Sequence, residues 1–445
     1  MNDFREKSFW LEGGDYSANP TLDSSQSSDV CIIGGGFTGL STAFHLKQLD
    51  PALKVILLES DVIGYGASGR NGGFAMTLFG LTLSITSVLF GKEKAAQAHH
   101  YMEQAVDFVD EIVKKHNMAC DYERNGFLRV ATTESFVKRI RHEIDKANEL
   151  GLEGISWLDK DELAEQVRSP LYLGAWWEPR CAIINPAKMA REWKRIAEAS
   201  GVAIHEGTPV ESVIRDGAIT VKTSNGSEVT CEKVVFATNA WSHFFPEIKS
   251  RQVPAFTYIV LTEPLSDEEF NQIGWQNRQG IEDPRNLVHY YRLTADNRLL
   301  MGGSDVGLVF GMNMDRDRND RIFQDLEEDI GEIFPVLKEK QITHRWGGPV
   351  SVTLDMAPAI GFIGKDERAV YSLGCIGHGV SMTQYNGWTL AEMLLERESE
   401  RTDVFFAGRK PIPWPPEPLR FGLVSGIRGY MRLEDAWYER KMLKD

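Results

Sequence analysis

The chain has 445 residues, of which 42% are hydrophobic and 25% charged, and its formal net charge is −15 at pH 7. This composition is typical of a folded protein with a sizeable core. The acidic charge argues against nucleic acid as the main partner, because phosphate binding needs a basic patch. The five cysteines contain no CxxC pair, so we expect reduced thiols, no disulfide framework and no metal centre.

The first predicted elements form a βαβ unit. Residues 1–28 are polar and rich in turn formers, which predicts an extended arm without an apolar signal core, and a cytoplasmic protein. Apolar runs at 29–33 and 54–59 predict buried parallel strands, and residues 40–49 predict the helix that joins them. About thirty residues is the length that such a crossover requires.

The turn between the first strand and its helix has the spacing G-x-G-x-x-G. Gly34 permits a tight turn, Gly36 lets the backbone approach a pyrophosphate, and Gly39 lets the helix pack on the strand. Glu59 ends the second strand, where its carboxylate would accept hydrogen bonds from a ribose. This context predicts a dinucleotide site, which also includes Phe37, Thr38 and Ser60.

A second glycine-rich run at 64–73 favours FAD over NAD as the dinucleotide. It holds five glycines in ten residues, so the backbone is exposed to a second close approach by the same ligand. An extended FAD needs this contact because its flavin end lies deep inside the protein. Ser68 and Arg70 are predicted to bind the pyrophosphate or ribityl chain, and Asn71 the flavin edge.

The segment 74–90 carries no charge and is mainly apolar. Its length borders on that of a membrane span, but crossing a bilayer directly after the flavin loop would split the cofactor site. We predict a buried helix with a connecting loop. A lid or a membrane-surface segment is the alternative.

The rest of the chain alternates helices and strands. Helices are predicted at 92–115, 136–150, 187–200 and 380–397, with Asn185-Pro186 as the start of the third. Strands are predicted at 122–133, 202–205, 209–215, 218–223 and 233–237. Residues 253–310 are rich in β-branched and aromatic side chains, which indicates an antiparallel sheet.

These motifs, in this order, resemble the D-amino-acid oxidase superfamily of flavoproteins, and more narrowly its glycine/sarcosine oxidase and γ-glutamylputrescine oxidase group. The resemblance includes Gly34 to Gly39, the run 66–73, the run Val234 to Trp241 and the loop Gly374 to Gly379. It covers nearly the whole chain, and it specifies the superfamily much better than the substrate.

The resemblance implies an α/β fold with a Rossmann-type FAD-binding domain and a substrate domain built on a large antiparallel sheet. We assign residues 1–90, 155–250 and 340–445 to the first domain, and 91–154 and 251–339 to the second. The cofactor residues that this implies, beyond those above, are Gly66, Ala67, Gly72, Gly73, Val210, Ala237, Thr238, Asn239, Gly374, Gly377, His378 and Gly379.

The sequence departs from its relatives at three kinds of position. Some relatives hold FAD through a cysteine where this chain has Val350 or Ser351, so we expect non-covalent FAD. Groups that bind a simple α-amino carboxylate in relatives are replaced by Val350 and Ser381, and a lysine that assists oxygen is replaced by Leu300. The anchors for a simple amino acid are therefore missing.

The candidate catalytic residues are His378, Tyr290, Tyr291 and Arg292. The two tyrosines point to opposite faces of a strand, so one of them is expected to face the pocket. His378 is expected at the flavin edge or in a structural hydrogen bond. Arg292 is expected either to bind a substrate carboxylate or to pair with an acidic neighbour.

Three functions fit the sequence. The first is an oxidase that takes a hydride from the carbon next to an amine nitrogen and passes electrons to oxygen, with a secondary amine, an N-alkyl or N-carboxymethyl amino acid, or a γ-glutamylated amine as substrate. The second is a dehydrogenase that uses a membrane quinone and docks through residues 74–90 and 421–431. The third is a flavin-binding protein without turnover.

Overall fold

The computed structural model describes residues 3–311 and 313–440 of the chain. Its helices are α1 Phe9–Glu12, α2 Phe37–Leu49, α3 Leu83–Phe90, α4 Lys92–His116, α5 Glu134–Glu149, α6 Lys160–Gln166, α7 Pro186–Ala199, α8 Asp267–Ile273, α9 Asp320–Ile333, α10 Gly379–Leu394 and α11 Leu419–Arg440. Its strands are β1 Gln26–Ile33, β2 Val55–Leu58, β3 Phe74–Ala75, β4 Phe127–Ala131, β5 Ser156–Asp159, β6 Gly174–Glu178, β7 Ala182–Ile183, β8 Ala203–His205, β9 Val210–Asp216, β10 Ala218–Thr223, β11 Glu228–Phe236, β12 Val253–Pro264, β13 Gly280–Glu282, β14 His289–Leu293, β15 Arg298–Gly303, β16 Gly307–Leu308, β17 Ile342–Val352, β18 Ala359–Phe362 and β19 Ala369–Leu373.

The first sheet has the order β18-β19-β11-β1-β2-β8, with β10 and β9 attached beside β11. Strands β19, β11, β1, β2 and β8 run parallel to one another, and β18 is antiparallel to β19. Parallel strands are covered on both faces, which explains the continuous apolar runs in β1 and β2. Helices α2, α4, α7 and α10 pack over one face, and their side chains form the largest core.

The second sheet has the order β16-β12-β15-β14-β13-β4-β6-β5, with β17 beside β12. Its pairs are antiparallel except for β13 with β4. Helix α9 packs on one face, with Tyr291 and Phe323 in the core between them. The strands at 156–178 and 342–352, which we assigned to the cofactor domain, pair within this antiparallel sheet.

The apolar segment after the flavin loop forms β3, a loop and the short helix α3. Thr86 of α3 is buried, whereas Ile85, Val88 and Leu89 expose 42%, 85% and 55% of their surface. The prediction of a buried helix was therefore wrong for the outer face of α3, because α4 and α5 cover one side of it only.

Two further observations concern membrane-spanning helices and the cysteine side chains. None of the helices in the described part of the chain is both long and apolar enough to cross a bilayer. All five cysteines lie within the described residues, and each is a buried, free thiol.

Candidate active site

The turn after β1 brings the backbone of three glycines into close contacts that exclude a side chain. A Cβ on Gly34, whose φ is 110°, would lie 2.5 Å from the carbonyl oxygen of Ala237. A Cβ on Gly36 would lie 2.9 Å from Ser68 Oγ, and one on Gly39 would lie 2.0 Å from the Gly34 oxygen. Gly36 is the N-cap of α2, and the N–H of Phe37, the first residue of the helix, donates to Ser68 Oγ at 3.0 Å. The N–H groups that follow Phe37 in the first turn are those that would bind an anion.

Glu59 follows β2 and holds this turn from the side. Its Oε2 accepts a hydrogen bond of 2.6 Å from the Gly35 N–H. Its Oε1 accepts 3.0 Å hydrogen bonds from the Asp61 N–H and the Ser60 hydroxyl. Burial raises the pKa of the Glu59 carboxyl, and these hydrogen bonds oppose the shift.

One elongated cavity runs from this turn to the start of α10. It is lined by residues from three distant parts of the chain, 33–71, 208–245 and 350–386. The predicted cofactor residues that line it are Gly34, Gly36, Phe37, Thr38, Glu59, Ser60, Gly66, Ala67, Ser68, Asn71, Val210, Ala237, Thr238, Asn239, Gly377 and Gly379.

Other predicted cofactor residues lie behind the cavity wall. The Arg70 Nε donates to the Tyr65 carbonyl at 2.8 Å, and the guanidinium lies 4.5 Å from the Tyr65 ring. Gly374 donates its N–H to Ser351 Oγ. Arg70 therefore shapes the loop through Tyr65, which itself lines the cavity. The remaining members of this group are Gly39, Gly72, Gly73 and His378.

The cavity also has wall residues that the sequence analysis did not select. Tyr65 lies between two glycines of the second run, and Trp241 ends the run 234–241, so both lay within motifs already recognised. Cys375 lies inside the predicted loop Gly374 to Gly379, whereas Thr383 and Asn386 had no signal because both lie inside α10.

The polar groups of the Arg292 and Tyr291 side chains form hydrogen bonds to other residues of the protein, and neither side chain lines the cavity. Arg292 Nη1 donates to the Ile184 carbonyl at 2.6 Å, and its guanidinium lies 5.6 Å from the Trp10 ring. Burial lowers the pKa of Arg292 to about 10. Tyr291 lies in the core under α9, where its hydroxyl is 2.7 Å from that of Tyr172.

Tyr290 lies on the opposite face of β14, beside the flavin loop. A Cβ on Gly72 would lie 2.8 Å from its ring, and the ring packs edge-on against Phe74 at 5.6 Å. In the sheet register, Tyr290 is opposite Glu282, which is opposite Arg129, which is opposite Trp176. Opposite residues share a face. We call Tyr290, Glu282, Arg129 and Trp176 the cross-strand row.

Three of the four members of the cross-strand row are buried, and two of these, Arg129 and Glu282, form an ion pair. Nε and Nη2 of Arg129 both donate to Glu282 Oε1, the first at 2.7 Å. Next to the row, Glu178 accepts hydrogen bonds from Thr77 Oγ1 at 2.7 Å and from Trp176 Nε1 at 3.3 Å. Burial raises the pKa of the Glu178 carboxyl. This face thus presents an ion pair and a second carboxyl group toward the flavin loop.

His378 lies at the N-cap of α10, in the loop that closes the cavity. Among the described residues, no hydrogen bond reaches its buried Nδ1. Burial, with a smaller contribution from the charge of Arg129, lowers the pKa of His378 to about 4, so the imidazole is neutral at pH 7. In the first turn of α10, Ser381 Oγ donates to the Met76 carbonyl and ties the helix to the segment after the flavin loop.

An elongated cavity that begins at the glycine turn of a βαβ unit defines a protein that binds an extended dinucleotide. The model of the family described as FAD dependent oxidoreductase matches residues 29–393, and the chain belongs to that family. It is therefore an FAD-dependent oxidoreductase.

Individual relatives match over most of their length. The chain is 32% identical over 423 residues to a gamma-glutamylputrescine oxidoreductase of Escherichia coli (strain K12), covering 94% of this chain and 96% of that one. It is 24% identical to a sarcosine oxidase subunit beta of Arthrobacter sp, covering 88% and 92%. A crystal structure of L-proline dehydrogenase from P. horikoshii has a TM-score of 0.72 at 21% identity, covering 86% of this chain and 96% of that one, which shows the same fold.

The cavity fits the cofactor of this family. The start of α2 suits a pyrophosphate, because the helix begins at the cavity and its glycine turn lines it. Glu59 suits a ribose, and the start of α10 closes the far end. FAD is the cofactor.

Proposed function

We propose that the protein oxidises the bond between carbon and nitrogen in a small amine or amino acid. A secondary amine, an N-alkyl or N-carboxymethyl amino acid and a γ-glutamylated amine are the candidate substrates. The observation that carries the proposal is that the cross-strand row lies against the flavin loop, with the Tyr290 ring beside Gly72, so the polar groups of the sheet would lie close to the flavin end of the cofactor. The similarity to the gamma-glutamylputrescine oxidoreductase supports an amine substrate.

When bound, FAD supplies the acceptor for the hydride of the carbon next to nitrogen. The protein would shield the reacting groups from water and supply polar groups that bind the substrate. The row limits the access of water, because Glu282, Arg129 and Trp176 are buried and Tyr290 is partly buried. His378 is neutral, and no group among the described residues hydrogen-bonds its Nδ1, which we expect to bind substrate or flavin. The carboxyl group of Glu178 would favour an amine over an anion.

The test is an anaerobic screen of amines and amino acids for loss of the yellow flavin absorbance. At least one secondary or γ-glutamylated amine is expected to bleach the purified protein within the dead time of manual mixing. If no amine bleaches a fully loaded protein, the proposal fails and a flavin-binding protein without turnover remains.

We further propose that oxygen accepts the electrons. Aerobic turnover is then expected to release hydrogen peroxide in a one-to-one ratio with the aldehyde or ketone that hydrolysis of the imine gives. A peroxidase-coupled assay measures this ratio. A ratio near zero with full anaerobic bleaching would exclude oxygen as the acceptor.

A quinone dehydrogenase is the second candidate, and exposed apolar side chains favour it. Val88 and Leu89 of α3 and Leu433 and Trp437 of α11 expose 54% to 85% of their surface. Such residues suit contact with a lipid surface. Reduction of a soluble quinone that is at least tenfold faster than oxygen, together with pelleting on vesicles, would identify this function.

We also propose that FAD is held without a covalent bond. Val350 lines the cavity where some relatives carry a cysteine, and it has no nucleophilic atom. Acid precipitation is expected to leave all the yellow colour in the supernatant. Colour in the pellet would instead point to Cys375, the thiol in the cavity wall.

A further inference from the structure

The N-terminal arm packs against the flavin loop, residues 64–73. Ser8 caps α1 and accepts a 3.2 Å hydrogen bond from the Leu11 N–H, and Trp10 lies in the helix itself. The side chains of Ser8, Trp10 and Leu11 are buried. A Cβ on Gly69 of the loop would lie 2.9 Å from Leu11 Cδ2, so the arm and the loop are in close contact.

The other side of the arm is bound to the body of the protein. Arg191 of α7 donates from Nη1 to the Gly13 carbonyl at 2.5 Å and from Nη2 to the Leu11 carbonyl at 3.2 Å. Lys7 Nζ lies 2.7 Å from Asp317 Oδ2. The arm is therefore fixed in place between α7 and the flavin loop.

The arm binds two backbone carbonyls of the flavin loop. Ser8 Oγ donates to the Gly69 carbonyl at 2.6 Å. Trp10 Nε1 donates to the Asn71 carbonyl at 2.9 Å. Both donors are buried side chains, so these hydrogen bonds are shielded from competition by water.

Neighbouring carbonyls of the loop are bound from the same side. Trp346 Nε1 of β17 donates to the Arg70 carbonyl at 2.9 Å. Trp346 and Trp10 belong to one hydrophobic cluster, so the two indoles lie together on one side of the loop. Arg292 Nη1, whose guanidinium lies 5.6 Å from the Trp10 ring, is 3.5 and 3.4 Å from the carbonyl oxygens of residues 72 and 73.

These contacts fix the direction of the N–H groups of the loop. In a planar trans peptide, the C=O of one residue and the N–H of the next point in opposite directions. The hydrogen bond from Trp346 to the Arg70 carbonyl therefore turns the Asn71 N–H away from β17. In the same way, the hydrogen bond from Trp10 to the Asn71 carbonyl turns the Gly72 N–H away from the arm.

The N–H groups of Asn71 and Gly72 donate to no acceptor among the described residues. The next N–H, that of Gly73, donates to Asn71 Oδ1 at 2.7 Å. Asn71 lines the FAD cavity, and Gly72 is buried. Because a buried N–H without a partner is costly, a ligand in the cavity is the acceptor that these two groups suit.

We propose that Trp10 is a positioning residue, whose hydrogen bond to the Asn71 carbonyl directs the Gly72 N–H toward the flavin ring. The N–H groups of Asn71 and Gly72 then donate to the ring together. Donors at the ring stabilise its reduced, more electron-rich form and so raise its reduction potential. This inference goes beyond the proposed amine oxidation, since it concerns how readily the bound FAD accepts electrons from any donor.

The test is the reduction potential of the FAD-loaded protein, measured by anaerobic titration against a reference dye without any substrate. Trp10→Phe removes the Nε1 donor and keeps an aromatic ring in the cluster. We expect Trp10→Phe to bind reduced FAD roughly tenfold less well relative to oxidised FAD, which lowers the potential of this two-electron couple by about 30 mV. FAD is expected to remain bound, because the turn at 34–39 and Glu59 hold its other end.

Ser8→Ala is the matched control within the arm. The peptide that Ser8 binds ends in the Arg70 N–H, which donates to the Ala67 carbonyl inside the loop at 3.3 Å. Ser8→Ala also removes the cap of α1, so it is expected to lower the melting temperature and to leave the potential unchanged. Trp157→Phe controls for the loss of an indole, because Trp157 lies in β5 beside Arg141.

Trp346→Phe is the second variant, and it keeps the proposal testable if Trp10→Phe does not fold. It is expected to lower the potential through the Asn71 N–H.

An unchanged potential in the folded tryptophan variants would overturn the proposal. An equal fall in Ser8→Ala would overturn it too, since any loosening of the arm would then set the potential. A folded Trp10→Phe protein that no longer retains FAD would assign Trp10 to cofactor retention instead. The amine screen is a separate measurement, so this proposal and the amine oxidation can fail independently.

Discussion

At the scale of single residues, Gly36 offers a direct test of the cofactor site. A side chain there would collide with Ser68 Oγ and enter the approach of the pyrophosphate. Gly36→Val is therefore expected to fold but to lose at least nine-tenths of its FAD. The ratio of absorbance at 450 nm to that at 280 nm measures the loss. Gly13→Val is the control, since a Cβ at Gly13 meets nothing within 4 Å; full flavin content in the Gly36 variant would contradict the placement.

His289 makes stability depend on pH. Burial disfavours its charged form, but the carboxylates of Asp283, at 3.0 Å, and Asp329, at 2.8 Å, outweigh this and raise the pKa of His289 to about 9. The folded pKa lies above the unfolded value of about 6.5, so the stabilisation is complete below pH 6.5 and is lost as pH rises through 9. It amounts to roughly 3 kcal/mol.

We expect the free energy of unfolding to fall between pH 6.5 and pH 10, and His289→Gln to flatten that part of the profile. Denaturant titrations at four pH values measure it. His100→Gln is the control, because His100 is exposed. The same slope in wild type and in His289→Gln would contradict the expectation.

At the scale of elements, α2 and α10 pack more closely than side chains normally permit. A Cβ on Gly387 of α10 would lie 2.5 Å from Ser41 Cβ and 2.8 Å from the Thr42 backbone nitrogen. Both helices begin at the FAD cavity, so their spacing fixes the distance between its two ends. Gly387→Ala is expected to destabilise the protein by about 1–3 kcal/mol.

A melting curve with and without added FAD tests this expectation. The loss of stability should be accompanied by weaker flavin retention, because the helix starts are displaced. Gly422→Ala in α11 meets no atom within 4 Å and serves as the control. A Gly387→Ala protein with unchanged melting temperature would show that the helices can separate without cost.

At the scale of the whole molecule, FAD is expected to act as a structural link, because its cavity joins three distant chain segments. A ligand that binds only the folded state at 100 times its Kd stabilises by about 2.7 kcal/mol. We expect the stripped protein to melt at a lower temperature in a single transition, and FAD, but not NAD, to restore it. Restoration by NAD would contradict the choice of cofactor.

Local parts of the candidate site could be predicted from the sequence, whereas parts built by long-range strand pairing could not. The turn at 34–39 and Glu59 were predictable because the βαβ unit is local and its spacing is fixed by crossover geometry. The cross-strand row was not predictable. Its members Arg129 and Glu282 are 153 residues apart in the chain, and their meeting depends on the parallel pairing of β13 with β4.

The bounds of individual helices and strands were predicted more accurately than which of their faces are exposed. The helix predicted at 92–115 spans Lys92–His116, because its apolar face repeats over seven turns. Helix α3 has apolar residues on all sides, so its pattern does not indicate which face is buried. Tyr290 and Tyr291 do point to opposite faces, as the alternation of a strand requires.

The burial of the thiols bears on the proposal that oxygen accepts the electrons, because that reaction releases hydrogen peroxide. The thiolate form of cysteine attacks hydrogen peroxide and is oxidised by it. Burial raises the pKa of Cys120 to about 12 and also raises that of Cys181 and of Cys375, which lies in the wall of the FAD cavity. These sulfurs stay protonated at neutral pH, so we expect the protein to resist inactivation by the hydrogen peroxide that the proposed reaction with oxygen would release.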